Sequence, residues 1–359
     1  MTDKAMYFIQ PIHGDMLHAR DGALTGESLK TKVSVAAPAG NSITINGVQT
    51  NFEDSYYSAE IELSDYENTL EAVNATTGEH TRITVYRLKN FAGKYRLSID
   101  DNIWFLRDIQ QQADVYSSLF EHPYLAVLKE INDTYGTKIH LNLFYETEGF
   151  NLSQFTDKFK EEWKDNAGWL TLSFHARGEF PDQPYISADY DTVKKDCDLV
   201  IGEIRRFAGE EVMTGVTTIH WGEATREASR ALRDAGYRGQ LGYFNVDDDL
   251  YPASYYLSVE ERRHIKKRFV WKDMSENVVF IKTSIVIDIK KIEEIEPWLN
   301  QYAEEGSSPP YVDLLVHEQY FYSSYFNYQP DYREKLITAV KWAHNNGYQP
   351  AFLDTCISE

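Results

Sequence analysis

Cysteine is nearly absent. The 359 residues hold two, Cys197 and Cys356, which excludes a disulfide framework and any cysteine-built zinc motif. Basic residues are outnumbered, 36 against 56 acidic ones, for a formal net charge of −20 at pH 7. Binding a phosphate backbone needs Lys and Arg in excess on one face, so nucleic acid is not the expected partner. The run Lys266 to Arg268 is too short to change that. No window approaches the ~18 uninterrupted apolar residues of a membrane span. The start MTDKAMYFIQ also lacks a basic stretch followed by an apolar one, so no transmembrane segment or export signal is expected. The chain reads as cytoplasmic as written, although a mature secreted form would look the same. Internal repeats and low-complexity tracts are missing too, and nothing in the pattern sets an oligomeric state.

What is present is enough apolar material for a core. At 42% hydrophobic residues, the chain can fill one large domain or two ordinary ones. Tyrosine is abundant, 25 residues beside 18 Phe and 7 Trp. Amphipathic rings serve cores, but they also stack on the apolar faces of sugars, which makes carbohydrate a candidate partner.

Two patterns divide the chain. From Thr31 to Arg87, apolar residues recur mostly at every second position (Val33/Val35, Ile43/Ile45, Ile61/Leu63, Ile83/Val85) between turns such as Asn46-Gly47 and Thr77-Gly78. Residues 1–90 are therefore expected to form a small all-β sandwich. They resemble the immunoglobulin-like modules attached to carbohydrate-active enzymes. From Tyr95 the runs YRLSI, KIHLNLF, WLTLSF, GVTTIH, GQLGYF, NVVFIKTSIVI, YVDLLVH and QPAFL alternate with helical segments. The helix ends are marked by Gly136, Ser153, Thr225, Gly236 and an S-x-x-E capping box at Ser258 and Glu261. No glycine-rich phosphate loop follows the first strand, so an irregular (β/α) barrel of about seven or eight units over residues 94–359 is preferred to a doubly wound sheet.

In such barrels the residues that end the strands converge on one mouth. The strand-end candidates are Asp100 and Asp101; Tyr145 and Glu146; His175 and Glu179; His220 and Glu223; Asp247, Asp248 and Asp249; and His317 and Glu318. Histidines and carboxylates on several strands suit a divalent ion that activates water, with a nearby carboxylate as base and a histidine as acid.

Ser98-Ile99-Asp100-Asp101 resembles the first motif of NodB-type polysaccharide deacetylases, and Asp313-Leu314-Leu315-Val316-His317 is similar to the strand that carries their catalytic histidine. The resemblance implies Asp100 as general base, Asp101 as metal ligand and His317 as general acid. The family's H-[ST]-x-x-H motif aligns with His175 to Glu179, with Glu in place of the second His. That gives Asp101, His175 and Glu179 as the implied ligands of a divalent ion, zinc first, with His220 as the alternative to Glu179. Thr218-Ile219-His220-Trp221-Gly222 looks like the family's R-x-P-Y-G stretch with its Arg replaced by Thr218; it implies the Trp221 backbone N–H as oxyanion donor. Arg177, Tyr145 and Glu318 are further candidates for substrate contact. The implied activity is removal of acyl groups from a carbohydrate. Two other readings remain open: a glycoside hydrolase using a pair among Asp100, Glu179, Glu223 and Glu318, and a carbohydrate-binding protein without catalysis.

Overall fold

The computed structural model describes residues 6–247, 251–304 and 309–358. Asp248 and Asp249 fall outside them. The chain divides into two compact units. One takes the residues up to Ala92 together with Val270–Ser275 and the tail from Cys356; the other takes Gly93–Phe269 and Glu276–Thr355.

The N-terminal region is all-β. Alternation along Ser28–Ala36 turns Leu29, Thr31, Val33 and Val35 inward, and the strand pairs antiparallel with Tyr56–Leu63 in the register Val33↔Ala59. A second sheet is built on Glu67–Asn74, flanked by His80–Arg87 and Ile43–Ile45. Leu29, Val33 and Ile61 from the first sheet share one apolar cluster with Ile43, Leu70 and Val85 from the second. Asn46 and Gly47, both at positive φ (47° and 78°), make the two-residue turn between Ile45 and Val48. Two successive positive φ values define a type I′ hairpin, which is why Asn-Gly stands there.

In the second unit, strands alternate with helices; its two larger sheets are built on parallel pairs, and Glu146–Thr147 with Phe150–Asn151 forms a separate antiparallel hairpin. One sheet runs in the order Leu170–Ala176, Ile139–Phe144, Lys94–Asn102, Tyr311–His317, Ile285–Val286, with Gln349–Pro350 also pairing to the start of Lys94–Asn102. A second sheet carries Val216–Thr217, Gly239–Gly242 and Val278–Lys282 in that order. Among the described residues the ladders do not close into one barrel, so the expected ring is interrupted at two seams. One seam is bridged by the single parallel pair Leu172↔Met213. At the other the chain itself changes sheets: Thr283 N–H donates to Gly242 of one sheet, and Ser284 N–H donates to Asp313 of the other. This splits NVVFIKTSIVI, which reads as one strand, into Val278–Lys282 and Ile285–Val286.

The strands of the larger sheet are buried on both faces, with no exposed position in Lys94–Asn102, Ile139–Phe144 or Leu170–Ala176. Period two then sorts two chemistries. Leu97, Ile99, Leu141, Leu143, Leu172 and Phe174 take one face, whereas Arg96, Ser98, Asp100, His140, Asn142, Ser173 and His175 take the other. Burying that many polar groups is tolerable only where they bond to one another.

Most helix ends follow the expected signals. Pro123–Tyr135 stops at Gly136, φ 66°; Thr225 caps Arg226–Asp234 through Ala228 N–H; and Ser258 with Glu261 forms the capping box of Val259–Arg268. Ser153 is not a cap. Asn151 makes the box with Gln154 on the short turn Leu152–Gln154, and the helix proper begins only at Lys160.

Candidate metal-binding and catalytic site

Asp100 and Asp101 are neighbours, and neighbours on a regular strand point to opposite faces. Here the strand is bulged. Ile99 pairs with Leu141 but Asn102 pairs with Leu143, so three residues span two, and Asp101 takes φ 64°. A bulge with a left-handed residue re-aims a side chain, and both carboxylates enter one cavity of about 690 Å³. The same cavity receives His175, Glu179, His220, Trp221 and His317.

Three ligand-type atoms converge at its floor. Asp101 Oδ1 lies 3.0 Å from His175 Nε2 and 3.2 Å from His220 Nδ1, and the two imidazole nitrogens are 3.1 Å apart. A tetrahedral ion with bonds of ~2.0–2.1 Å spaces its ligand atoms roughly 3.3 Å apart, so this triangle needs little adjustment to receive one. The remaining ring nitrogens set the tautomers. His175 Nδ1 is 2.6 Å from the Thr218 carbonyl, and His220 Nε2 is 3.2 Å from the Glu179 carbonyl. Each carbonyl takes an N–H, which turns the other nitrogen's lone pair toward Asp101, the usual outer support of a metal-binding histidine. Asp101 Oδ1 is buried and makes no aligned hydrogen bond. This Asp-His-His cluster can hold a metal ion.

Glu179 does not join the cluster. It lines the cavity but supports the triangle through its backbone carbonyl, and His220, the alternative ligand, fills the third position.

Electrostatics follow from burial and neighbours. Burial raises the Asp100 pKa, partly opposed by His175 and His317. Burial acts the same way on Asp101, but in the metal-free site the adjacent His175 and His220 rings, which can donate to it when protonated, outweigh burial and hold the carboxyl well below its usual range. Burial alone would lower the His175 pKa; the charges of Asp100 and Asp101 raise it instead. His317 ends its strand directly beside Asp100, as its register partner. Burial opposes its protonation, yet Asp288 overrides that and lifts its pKa to about 10. Asp288 Oδ2 accepts both the His317 backbone N–H and Nδ1–H, each at 2.7 Å. Asp288 is a partner that strand-end reasoning passed over. Its signal was the acidic residue after SIVI, concealed because that segment looks like a continuation of the preceding strand.

The other candidates sit elsewhere. Glu318 is fully buried and accepts the backbone N–H groups of Ile103, Trp104 and Phe105 at 2.6–3.0 Å, closing the N-terminus of the helix Trp104–Gln111. Glu223 is buried against the backbone N–H groups of Ala253 and Ser254. Arg177 is exposed and pairs with Glu146 at 2.8 Å; neither it nor Tyr145 lines the cavity. Asp247 is exposed, 3.8 Å from Lys266. Trp221, at φ 67°, stands on the rim at 40% exposure beside Tyr251 and Phe326.

No protein-family model matches the sequence, and no curated protein matches it. Solved structures do superpose on it. A 4-alpha-glucanotransferase from Thermococcus litoralis gives a TM-score of 0.48 at 13% identity over 74% of this chain and 40% of its own, so this chain spans about two fifths of that enzyme's length. A Bordetella bronchiseptica protein described as a polysaccharide deacetylase involved in O-antigen biosynthesis gives 0.33 at 10% identity over 72% and 90% of the two chains. A family 123 glycoside hydrolase from Clostridium perfringens gives 0.34 at 8% identity over 94% and 84%. All three TM-scores lie below 0.5, so the functional reading rests on the residues of this chain.

Proposed function

We propose that this cavity hydrolyses an acyl group, acetyl as the simplest case, from a carbohydrate, with a divalent ion held by Asp101, His175 and His220. The observation that carries the reading is the triangle of ligand atoms 3.0–3.2 Å apart, in a cavity that Asp100 and His317 also line.

A zinc-type ion bound there would supply Lewis acidity and lower the pKa of a water to about 7. Asp100 is the base that takes the water's proton. Its carboxylate accepts a 2.6 Å hydrogen bond from Asn142 Nδ2 and stands beside the cationic His317 imidazole, which opposes the effect of burial and favours its ionised form. His317, with a pKa of about 10, carries its proton at neutral pH and delivers it to the departing oxygen or nitrogen of the sugar. Asp288 fixes the ring through Nδ1, which leaves Nε2 to act. The Trp221 backbone N–H is the assigned oxyanion donor; such donors contribute ~3 kcal/mol in a dry site. Rings of Phe180, Trp221, Tyr251, Tyr325 and Phe326 around the opening suit stacking on a sugar.

Acetate release from acetylated mono- and oligosaccharides, measured with added zinc and after exhaustive chelation, tests this. Activity that zinc restores supports it; undiminished activity in chelator refutes it. For a paired-carboxylate glycosidase, Glu223 and Glu318 are buried in backbone contacts, which leaves Asp100 and Glu179 at the cavity.

A further inference from the structure

Behind Asp100 runs a line of polar side chains of which only Asp100 and its partner Asn142 enter the hydrolytic steps. Asp313, Arg96, His140, Ser173, Asn142 and Asp100 are each 3% exposed or less, and successive members touch. Arg96 Nε donates to Asp313 Oδ1 at 2.7 Å. Arg96 Nη1 is 2.5 Å from His140 Nδ1; His140 Nε2 is 2.7 Å from Ser173 Oγ; Ser173 Oγ is 2.5 Å from Asn142 Oδ1; and Asn142 Nδ2 is 2.6 Å from Asp100 Oδ1.

The hydrogen-bonding inventory fixes every direction in this line. Guanidinium only donates, so His140 Nδ1 accepts. A neutral ring that accepts at Nδ1 carries its proton on Nε2 and donates to Ser173. The Ser173 hydroxyl then donates to Asn142 Oδ1, which leaves Asn142 Nδ2 to donate to Asp100. Starting from the other end gives the same answer, because an ionised carboxylate only accepts. A protonated Asp100 donating to Asn142 would flip the amide and the hydroxyl and leave two donors facing each other at Arg96 and His140.

We propose that Arg96, His140, Ser173 and Asn142 form a one-way hydrogen-bond chain that positions Asp100, tying its Oδ1 as an acceptor and leaving Oδ2 toward the cavity. They are positioning residues, and the role rests on the hydrolase reading given above. The construction is costly. Arg96 Nη2 and Asp313 Oδ2 are buried without partners among the described residues, and a buried ion pair joined through one N–H is a weak source of stability. Several donors linked in one sense polarise one another, which a fold does not need and a fixed base does.

Two measurements on the full-length protein decide it. Nitrogen-15 NMR of the imidazoles should show His140 neutral, with its proton on Nε2. Ser173→Ala, which removes one hydroxyl from the middle of the line, should lower kcat for acetate release at least tenfold. KM and zinc affinity should change less than threefold. A proton on Nδ1 of His140 in the wild-type protein overturns the proposal. So does a Ser173→Ala enzyme with kcat within twofold of wild type, or one whose loss follows lost zinc. If Ser173→Ala does not fold, the wild-type spectrum decides. If the wild-type protein releases no acyl group, the hydrolase reading fails, while the spectrum still decides the direction of the chain.

Discussion

Replacing Asp288 by Asn keeps the shape of the side chain that holds His317 and removes its charge. The wild-type carboxylate takes two hydrogen bonds from one residue, backbone N–H and Nδ1–H, both at 2.7 Å, and against the effect of burial it is the main cause, with smaller help from Asp101 and Asp100, of an imidazole pKa raised from 6.5 to about 10. A displacement of that size corresponds to roughly 3–5 kcal/mol of preference for the charged ring. Because the folded pKa lies above the unfolded one, this stabilisation is complete below pH 6.5 and is lost as pH rises through about 10. The wild-type protein should therefore lose stability between pH 6.5 and 10, measured by urea unfolding in chelator so that metal binding does not contribute. In Asp288→Asn that slope should largely vanish, and the His317 ring proton should titrate near or below its ordinary range by NMR. At neutral pH the variant would also lose most of its acid function. A wild-type His317 that titrates near pH 6.5 would refute the reasoning.

Other consequences can be checked alongside. Asp101→Ala and His220→Ala should each weaken zinc binding at least a hundredfold by calorimetry, whereas Glu179→Gln, which keeps the backbone carbonyl, should stay within fivefold. Asp100→Asn should retain zinc but lose at least a hundredfold in kcat; equal loss of zinc in this variant and in Asp101→Ala would show the two roles to be wrongly divided. Zinc affinity should fall as pH drops, because His175, whose pKa is raised, must release its proton to bind. Glu318→Ala leaves three helix-terminal N–H groups without their buried acceptor and should cost roughly 2–5 kcal/mol in chemical denaturation. Unchanged stability there would show that water replaces the carboxylate.

Much of this arrangement is local and can be read in the sequence. Alternating apolar positions, Asn46-Gly47, Gly136 and the Ser258 box act within a few residues, so their consequences need no distant partner. The cavity positions of Asp100 and His317 were legible for the same reason: a run of apolar residues closed by a charged one marks where a parallel strand nears its carboxyl end. Choosing between Glu179 and His220 was not legible. A four-residue spacing places two side chains together only on a continuing regular element, and after Ala176 the chain leaves its strand, so Glu179 offers a carbonyl while a histidine 45 residues from His175 completes the cluster that can hold an ion. Glu318 was misjudged in a similar way, since an acid beside a strand-end histidine looks the same whether it faces a cavity or a helix end.

The amino-acid sequence by itself determined which segments alternate, where most helices begin and end, and that acids and histidines collect at strand ends, because those follow from short-range sterics and solvent preference. Tertiary structure alone decided that adjacent Asp100 and Asp101 share one cavity, through a bulge visible only in the register with a neighbouring strand. It also decided that Asp288 serves His317, and that Arg96 reaches Asp100 through three strands. Those relations are distances between residues far apart in the chain, and they exist only once parallel pairing has set the register.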